Sequence, residues 1–231
     1  MLQYIIAGLA GLLTLSKLFE CKMELSNNNI LNNDIFKIIG TENSLFYIDN
    51  NLSTIIEVEK EYQYIDIRST DIVMDIGACI GGFSIKVSDI VKKVYAIELL
   101  MSNILQKNIN LNNKQNITIV DALLGNGLVK ATWDNKTEYK FGLTLTELIN
   151  IVGGHIDFLK MDCEGGEHCI LPEELINIRR IEAEIHTFDQ NGKFHNLNKF
   201  EEVLKTANFE YTKNITSKGQ MIIHAKNNMI T

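Results

Sequence analysis

The segment from Asp71 to Glu98 constrains the fold of this chain more than any other stretch. It opens with an apolar, β-branched run at 72–76, which predicts a buried strand, and then breaks at a glycine-rich turn, 77–82. Apolar residues recur at helical spacing as far as Val91, and a second apolar run, 94–97, ends at Glu98. A strand, a glycine turn, a helix, a strand and a terminal acid make up the nucleotide-binding half of a doubly wound α/β sheet.

Individual residues of this segment indicate which nucleotide it binds. A dinucleotide site uses the pattern G-x-G-x-x-G, but Cys79 stands where the second glycine would let the backbone approach a pyrophosphate. Asp75, inside the first strand, would repel phosphate and would suit a ligand with a positive or amino group. Glu98 follows about 20 residues later, where an acid can bind a ribose diol. S-adenosylmethionine, a nucleoside that carries an amino acid and a positive sulfur, fits this pattern best.

Three motifs of the chain resemble the FkbM family of class I S-adenosylmethionine-dependent methyltransferases. The family's first motif is matched by DIGACIGGFS at 75–84, its second by IDFLKMDCEGGEHCIL at 156–171, and the strand after it by RRIEAEIH at 179–186. The resemblance extends from about Tyr62 to about Tyr211. It implies an α/β fold with a mostly parallel, seven-stranded Rossmann-like sheet that an antiparallel hairpin closes, and it implies O-methylation.

The order of the segments predicts three parts. Residues 1–25 are expected to form an apolar N-terminal helix, 26–68 a cap segment of helix and β structure, and 69–231 the methyltransferase domain. Residues 2–15 are nearly uncharged but shorter than the roughly 20 apolar residues of a membrane span. We expect this helix to pack on the domain or on a partner chain, and contact with a membrane surface is the alternative.

The residues predicted to bind the cofactor lie in the first motif and just after the following two strands. They are Asp75, Gly77, Ala78, Cys79, Gly81, Glu98, Leu99, Asp121 and Ala122. The last two follow the strand at 117–120, where class I methyltransferases often contact the adenine amino group. The Asp121 carboxylate can accept a hydrogen bond from that group.

The residues predicted to act on the substrate follow two later strands. Asp162, Glu164 and Glu167 come after the strand at 156–161, and His186 ends the next one. Because ligands bind outside the carboxyl ends of such strands, His186 is the candidate general base, with Asp162 and Glu164 as further catalytic candidates. Glu167 and Tyr62 are expected to contact the substrate. A divalent cation held by the three acids and His186 is an alternative to a general base.

The composition indicates which chemical class of acceptor and which cellular compartment to expect. The net charge is -7 and no basic run occurs, which argues against nucleic acid and favours a small-molecule or glycan acceptor. We expect a hydroxyl of a sugar, a lipid-linked glycan or a secondary metabolite. The four cysteines show no C-x-x-C or zinc spacing, which suits reduced thiols in the cytoplasm.

Two other function classes stay open at this stage. One is an NAD-type oxidoreductase, against which Cys79 and the missing G-x-G pattern argue. The other is a non-catalytic subunit that binds the cofactor and a partner chain, which the apolar N-terminal helix would suit. A homo-oligomer is also open.

Overall fold

The structure, a computed structural model, describes residues 37–40, 44–48, 61–133 and 136–230. The predicted N-terminal helix, its proposed membrane contact through 2–15, and most of the cap segment lie outside the described residues. Within the described ranges, no helix has both the length and the apolar character needed to cross a membrane.

The described residues form β1 Lys37–Gly40, β2 Leu45–Ile48, β3 Ile72–Ile76, α1 Gly82–Ser88, β4 Lys93–Ile97, α2 Ser102–Leu111, β5 Ile117–Val120, β6 Gly127–Trp133, β7 Lys136–Gly142, α3 Leu145–Ile151, β8 Phe158–Met161, β9 Arg180–Ile185, α4 Leu197–Thr206, β10 Phe209–Ile215 and β11 Met221–Asn227. Two short 3₁₀ turns, Gly166–Cys169 and Pro172–Glu174, stand between β8 and β9.

Seven of these strands form one sheet in the order β10-β11-β9-β8-β3-β4-β5. Strands β9, β8, β3, β4 and β5 run parallel, while β11 pairs antiparallel with β9, and β10 with β11. The predicted fold class is therefore confirmed. The strand order reverses between β3 and β8, and a crevice outside their carboxyl ends is where this type of sheet binds ligands.

The central strands are buried because both faces of the sheet are covered. Met74 and Ile76 of β3 pack into one apolar cluster together with residues of β8 and β9. Val73 packs into the cluster on the other face, against Phe83 of α1 and Phe158. Parallel strands covered in this way read as continuous apolar runs, as 72–76 does.

Two small hairpins flank the main sheet. Strands β1 and β2 pair antiparallel, and Asn108 and Asn112 of α2 accept hydrogen bonds from the backbone of β2 at 2.6 and 2.9 Å. Strands β6 and β7 form the second antiparallel pair, and β6 supplies one wall of the cavity described below. Helix α3 begins with a capping box between Thr144 and Glu147.

Candidate active site

A cavity of about 480 Å³ lies at the carboxyl ends of the central strands. Four of the residues that line it directly follow a strand: Gly77 follows β3, Glu98 β4, Asp162 β8 and His186 β9. Residues Leu128–Trp133 of β6 line it as well. Parallel pairing therefore brings residues from distant parts of the sequence to one edge of the sheet.

The Glu98 carboxylate marks one end of the cavity. Its Oε2 accepts a hydrogen bond of 2.8 Å from the amide of Cys79, and its Oε1 accepts from the amides of Leu100 and Met101 at 2.7 and 2.8 Å. Burial raises the pKa of Glu98, although these three bonds oppose the shift. A carboxylate has about four acceptor positions. Glu98 can therefore accept one further hydrogen bond from a ligand in the cavity.

Beside Glu98 the cavity wall is apolar. Leu99, Ala122, Leu123 and Leu124 line it, and Trp133 of the β6–β7 hairpin is also part of it. A slot with a carboxylate at one side and apolar side chains around it suits a nucleoside, whose ribose is polar and whose base is flat. Of the predicted cofactor-binding residues, Gly77, Cys79, Glu98, Leu99 and Ala122 line the cavity.

Asp75 is not among the residues that line the cavity, and its expected contact with the cofactor stays a prediction. It is fully buried, and its Oδ2 accepts a 2.6 Å hydrogen bond from the Ser84 hydroxyl. Its Oδ1 lies 3.1 Å from Lys160 Nζ, in an ion pair that is not aligned as a hydrogen bond. Lys160 also donates to the Gly77 carbonyl at 3.1 Å. Asp75 therefore holds the groups that shape the turn after β3.

Ala78, Gly81 and Asp121 are also absent from the cavity wall, and the same expectation stays a prediction for them. Ala78 is buried, and its amide donates to the Ile97 carbonyl at 3.2 Å. Gly81 precedes α1 with a φ of 96°, a backbone conformation that favours glycine. Asp121 is exposed. The first two keep the turn in place, and the cavity is bounded instead by residues that follow them.

At the other end of the cavity, Asp162, Glu164 and His186 come together as the sequence predicted. His186 Nε2 lies 3.5 Å from Glu164 Oε2 and 3.9 Å from Asp162 Oδ1. These three side chains are the one group of potential ligands in the described part of the chain that is close enough to hold a metal ion.

Glu167 lies beneath this group and not on the cavity wall. It is fully buried, and its Oε1 lies 2.7 Å from His186 Nδ1. This placement gives Glu167 a partner in His186, and its expected contact with the substrate stays a prediction. Tyr62 is likewise buried and away from the wall, with its hydroxyl 3.4 Å from Asp162 Oδ2, so it too contacts a site residue and not the cavity. Both side chains instead support the residues that face the ligand.

The pKa values at this end reflect burial among several carboxylates. Burial lowers the pKa of His186, but the hydrogen bond and charge of Glu167, together with Glu164 and Asp162, raise it to about 9. Burial, and then the charge of Asp162, raise the pKa of Glu184 to about 7. Burial also raises the pKa of Asp162 and of Glu164. The site therefore favours a positively charged ligand, because such a charge offsets the carboxylates.

Glu184 is a site residue that the sequence analysis did not select. It lines the cavity, and its Oε1 lies 4.0 Å from His186 Nε2. Alternate residues along a strand share one face, so Glu184, two positions before His186, faces the same site. The wall residues Asp189 and His195 belong to the polar loop after β9, which the sequence suggested lies near the same face but from which no site residue was selected.

The fold is that of the class I methyltransferases. The structure is similar to that of TYW2 from M. jannaschii in complex with AdoMet, with 17% identity, a TM-score of 0.52, and 86% of this chain and 89% of that one covered. It is also similar to Trm5b from Pyrococcus abyssi, with 14% identity and a TM-score of 0.51. That match covers 84% of this chain, which spans 56% of the length of Trm5b.

The sequence assigns the family within this class. Residues 75–211 match the family model of the Methyltransferase FkbM domain, and the chain belongs to that family. A search of curated protein sequences finds no match. The resemblance stated from three motifs is therefore confirmed.

Proposed function

We propose that this protein is an S-adenosylmethionine-dependent methyltransferase that methylates a hydroxyl group of a sugar, glycan, lipid-linked or secondary-metabolite acceptor. The observation that carries the proposal is one cavity with Glu98 and an apolar wall at one end and the Asp162–Glu164–His186 group at the other. The AdoMet complex of TYW2, which has the same fold, supports this choice of cofactor.

The residues present fit the cofactor. Glu98 keeps an acceptor position for a ribose hydroxyl, and Leu99, Ala122 and Leu123 offer an apolar surface for adenine. Asp162, one of the carboxylates at the other end, can attract the positive amino and sulfonium groups. S-adenosylmethionine supplies, when bound, an electrophilic methyl group on a positively charged sulfur.

The chain's own residues would orient the acceptor and remove its proton. As the acceptor oxygen forms its bond to the methyl carbon, the carbon–sulfur bond breaks and its electron pair stays on sulfur, which leaves as a neutral thioether. The hydroxyl proton passes to a base, and the neutral form of His186 is our candidate for that base. Because its pKa is raised to about 9, we expect the methyl-transfer rate to rise with pH through the alkaline range. Holding the two reactants in line supplies much of the rate in a direct displacement.

The surroundings of the cavity support an acceptor with an apolar portion. Strands β6 and β7 pair Leu128 with Phe141 and Lys130 with Tyr139 on one face of the hairpin. Leu128, Tyr139 and Phe141 are 62%, 66% and 73% exposed, and Leu128 also lines the cavity. A lipid-linked acceptor could contact this face while its hydroxyl reaches His186. Sedimentation of the full chain with lipid vesicles would test the membrane contact that we also propose for residues 2–15.

The first test of the proposal is calorimetric titration with S-adenosylmethionine and S-adenosylhomocysteine. We expect micromolar binding, weakened at least tenfold in Glu98→Ala and in Leu123→Trp, which fills the apolar wall without touching the buried core. Glu202→Ala, an exposed site on α4, is the control. A folded protein that binds neither compound, or that binds NAD⁺ instead, would overturn the proposal.

The second test addresses the acceptor. Methyl transfer from radiolabelled S-adenosylmethionine would be measured against a panel of sugars, lipid-linked glycans and hydroxylated metabolites. Labelling of a hydroxyl that falls at least a hundredfold in His186→Gln is the expected result. Labelling of an RNA in preference to every member of the panel would contradict the small-molecule part of the proposal.

A further inference from the structure

We propose that Asp162, Glu164 and His186 bind a divalent cation through one oxygen of each carboxylate and the Nε2 atom of the imidazole. The candidate ligand atoms all lie within 4.8 Å of one another. This inference rests on the proposed function and deepens it, because it places a cation where the acceptor hydroxyl loses its proton. It also changes the part played by His186, from a general base to a ligand.

The first observation is the orientation of the imidazole. His186 Nδ1 lies 2.7 Å from Oε1 of Glu167, whose side chain is fully buried. A carboxylate on one ring nitrogen fixes the ring and directs the other nitrogen outward, and histidines that bind metals usually have such a partner. The Glu167 contact therefore holds Nε2 toward the cavity.

The second observation is that Nε2 lacks a hydrogen-bond partner among the described residues. The His186 residue is only 5% exposed, and the oxygens nearest to Nε2 are Glu164 Oε2 at 3.5 Å and Asp162 Oδ1 at 3.9 Å. Hydrogen bonds to nitrogen are about 2.7–3.2 Å long. Ligand atoms about 2.1 Å from a common ion lie about 3.0–3.4 Å apart. The Nε2–Glu164 distance of 3.5 Å is thus close to that of two ligands around a cation, and Asp162 would move closer by about 0.5 Å to complete the set.

The third observation is the balance of charge. Glu184 adds another carboxylate oxygen 4.0 Å from Nε2. The Lys160 ammonium lies 3.1 Å from both Asp75 and the Gly77 carbonyl, and its charge also acts on Asp162, but it does not contact Glu164 or Glu184 within hydrogen-bond distance. A bound cation would offset the repulsion among these carboxylates.

The donor set indicates the kind of cation. Carboxylates suit Mg²⁺, Ca²⁺ and Mn²⁺, while imidazole suits transition metals, so a mixed set of two oxygens and one nitrogen favours Mn²⁺. Three protein ligands leave positions open for oxygens of an acceptor. A cation there would lower the pKa of an acceptor hydroxyl without a side-chain base.

The test is titration of the purified full chain with Mn²⁺, with free Mn²⁺ followed by electron paramagnetic resonance. We expect one bound ion with a micromolar Kd, and a Kd at least tenfold weaker in Asp162→Asn, Glu164→Gln and His186→Gln. Pulsed measurements on the bound ion should show coupling to an imidazole nitrogen that His186→Gln removes. Glu164 has a side chain 42% exposed, so its substitution should leave folding intact, which circular dichroism would check.

Glu173→Gln, an exposed acid outside the cavity, is the matched control and should bind Mn²⁺ as the wild type does. Failure of the wild type to bind Mn²⁺, equal binding by all variants, or bound Mn²⁺ without nitrogen coupling would overturn the inference. Titration of the same samples with S-adenosylmethionine separates the two proposals. If the protein binds S-adenosylmethionine but not Mn²⁺, only the inference of a cation site is overturned. If it binds neither, the proposed function is overturned as well.

Discussion

Replacing Lys160 by Met should destabilise the protein strongly, because it leaves a buried carboxylate without its counter-ion. Lys160 and Asp75 face each other across the parallel strands β8 and β3, and their side chains are 3% and 0% exposed. Burial lowers the pKa of Lys160, but Asp75 and then Asp162 raise it above its ordinary value, so the amine stays protonated. After the substitution, Ser84 alone among these partners contacts Asp75.

Removing one partner of a buried ion pair costs about 3–5 kcal/mol of folding free energy. For a chain of this size, about 2–4 °C in Tm accompanies each kcal/mol, so Lys160→Met should lower Tm by about 6–20 °C. The double variant Asp75→Asn, Lys160→Met should recover at least half of the loss, because the neutral amide needs no counter-ion and can still accept from Ser84.

The assay is urea unfolding followed by circular dichroism and by the fluorescence of the single tryptophan, Trp133. The matched control is Lys92→Met on the surface, where we expect a change within about 0.5 kcal/mol. A loss below about 1 kcal/mol in Lys160→Met, or a double variant no more stable than the single one, would refute the reasoning.

Three further predictions concern other parts of the molecule. Gly77→Ala should abolish cofactor binding and lower Tm far more than Gly154→Ala, a glycine with a similar φ. An added Cβ would lie 1.8 Å from the Asp162 carbonyl oxygen at Gly77 but in open space at Gly154. Equal losses of Tm in thermal melts would contradict this prediction. Thr144→Ala removes the capping box of α3 and should cost about 0.5–2 kcal/mol in urea unfolding, and no loss would contradict it. Hydrogen bonds from Lys213 and Tyr211 of β10 lower the pKa of Glu201 in the folded protein. The ionised carboxylate therefore contributes its full stabilisation at pH values above its pKa in the unfolded chain. This stabilisation is lost as the pH falls through the lower pKa of the folded state. The stability gap between wild type and Glu201→Gln should therefore narrow between pH 6 and pH 3, and a gap that widens would argue against it.

Much of the fold could be predicted because its information is local. Strands β3 and β5 have the bounds of the apolar run at 72–76 and of the strand expected at 117–120. The capping box that starts α3, Thr144 with Glu147 three positions later, is likewise a pattern of neighbouring residues. Each of these elements depends on neighbours in sequence, so a pattern of a few residues is sufficient to indicate it.

The candidate site was predictable only in part. Asp162, Glu164 and His186 were placed correctly at one edge of the sheet, because the carboxyl ends of parallel strands meet there. Glu167 was expected on the wall, yet a turn of 3₁₀ helix directs it beneath His186. Glu184 was missed, although it shares the face of His186 on β9.

The sequence alone determined the order of strands and helices, the motif that ends in Glu98, and the family to which the chain belongs. Only the tertiary structure decided which acids face a ligand. Asp75 lies within β3 and Glu98 directly follows β4, and the register of β3 against β8 places Lys160 opposite Asp75 and closes it into the core. Glu98 lies at the carboxyl edge, where backbone amides hold it beside the cavity. A side chain's partners across a sheet come from residues far away in the sequence, and therefore only the folded chain determines them.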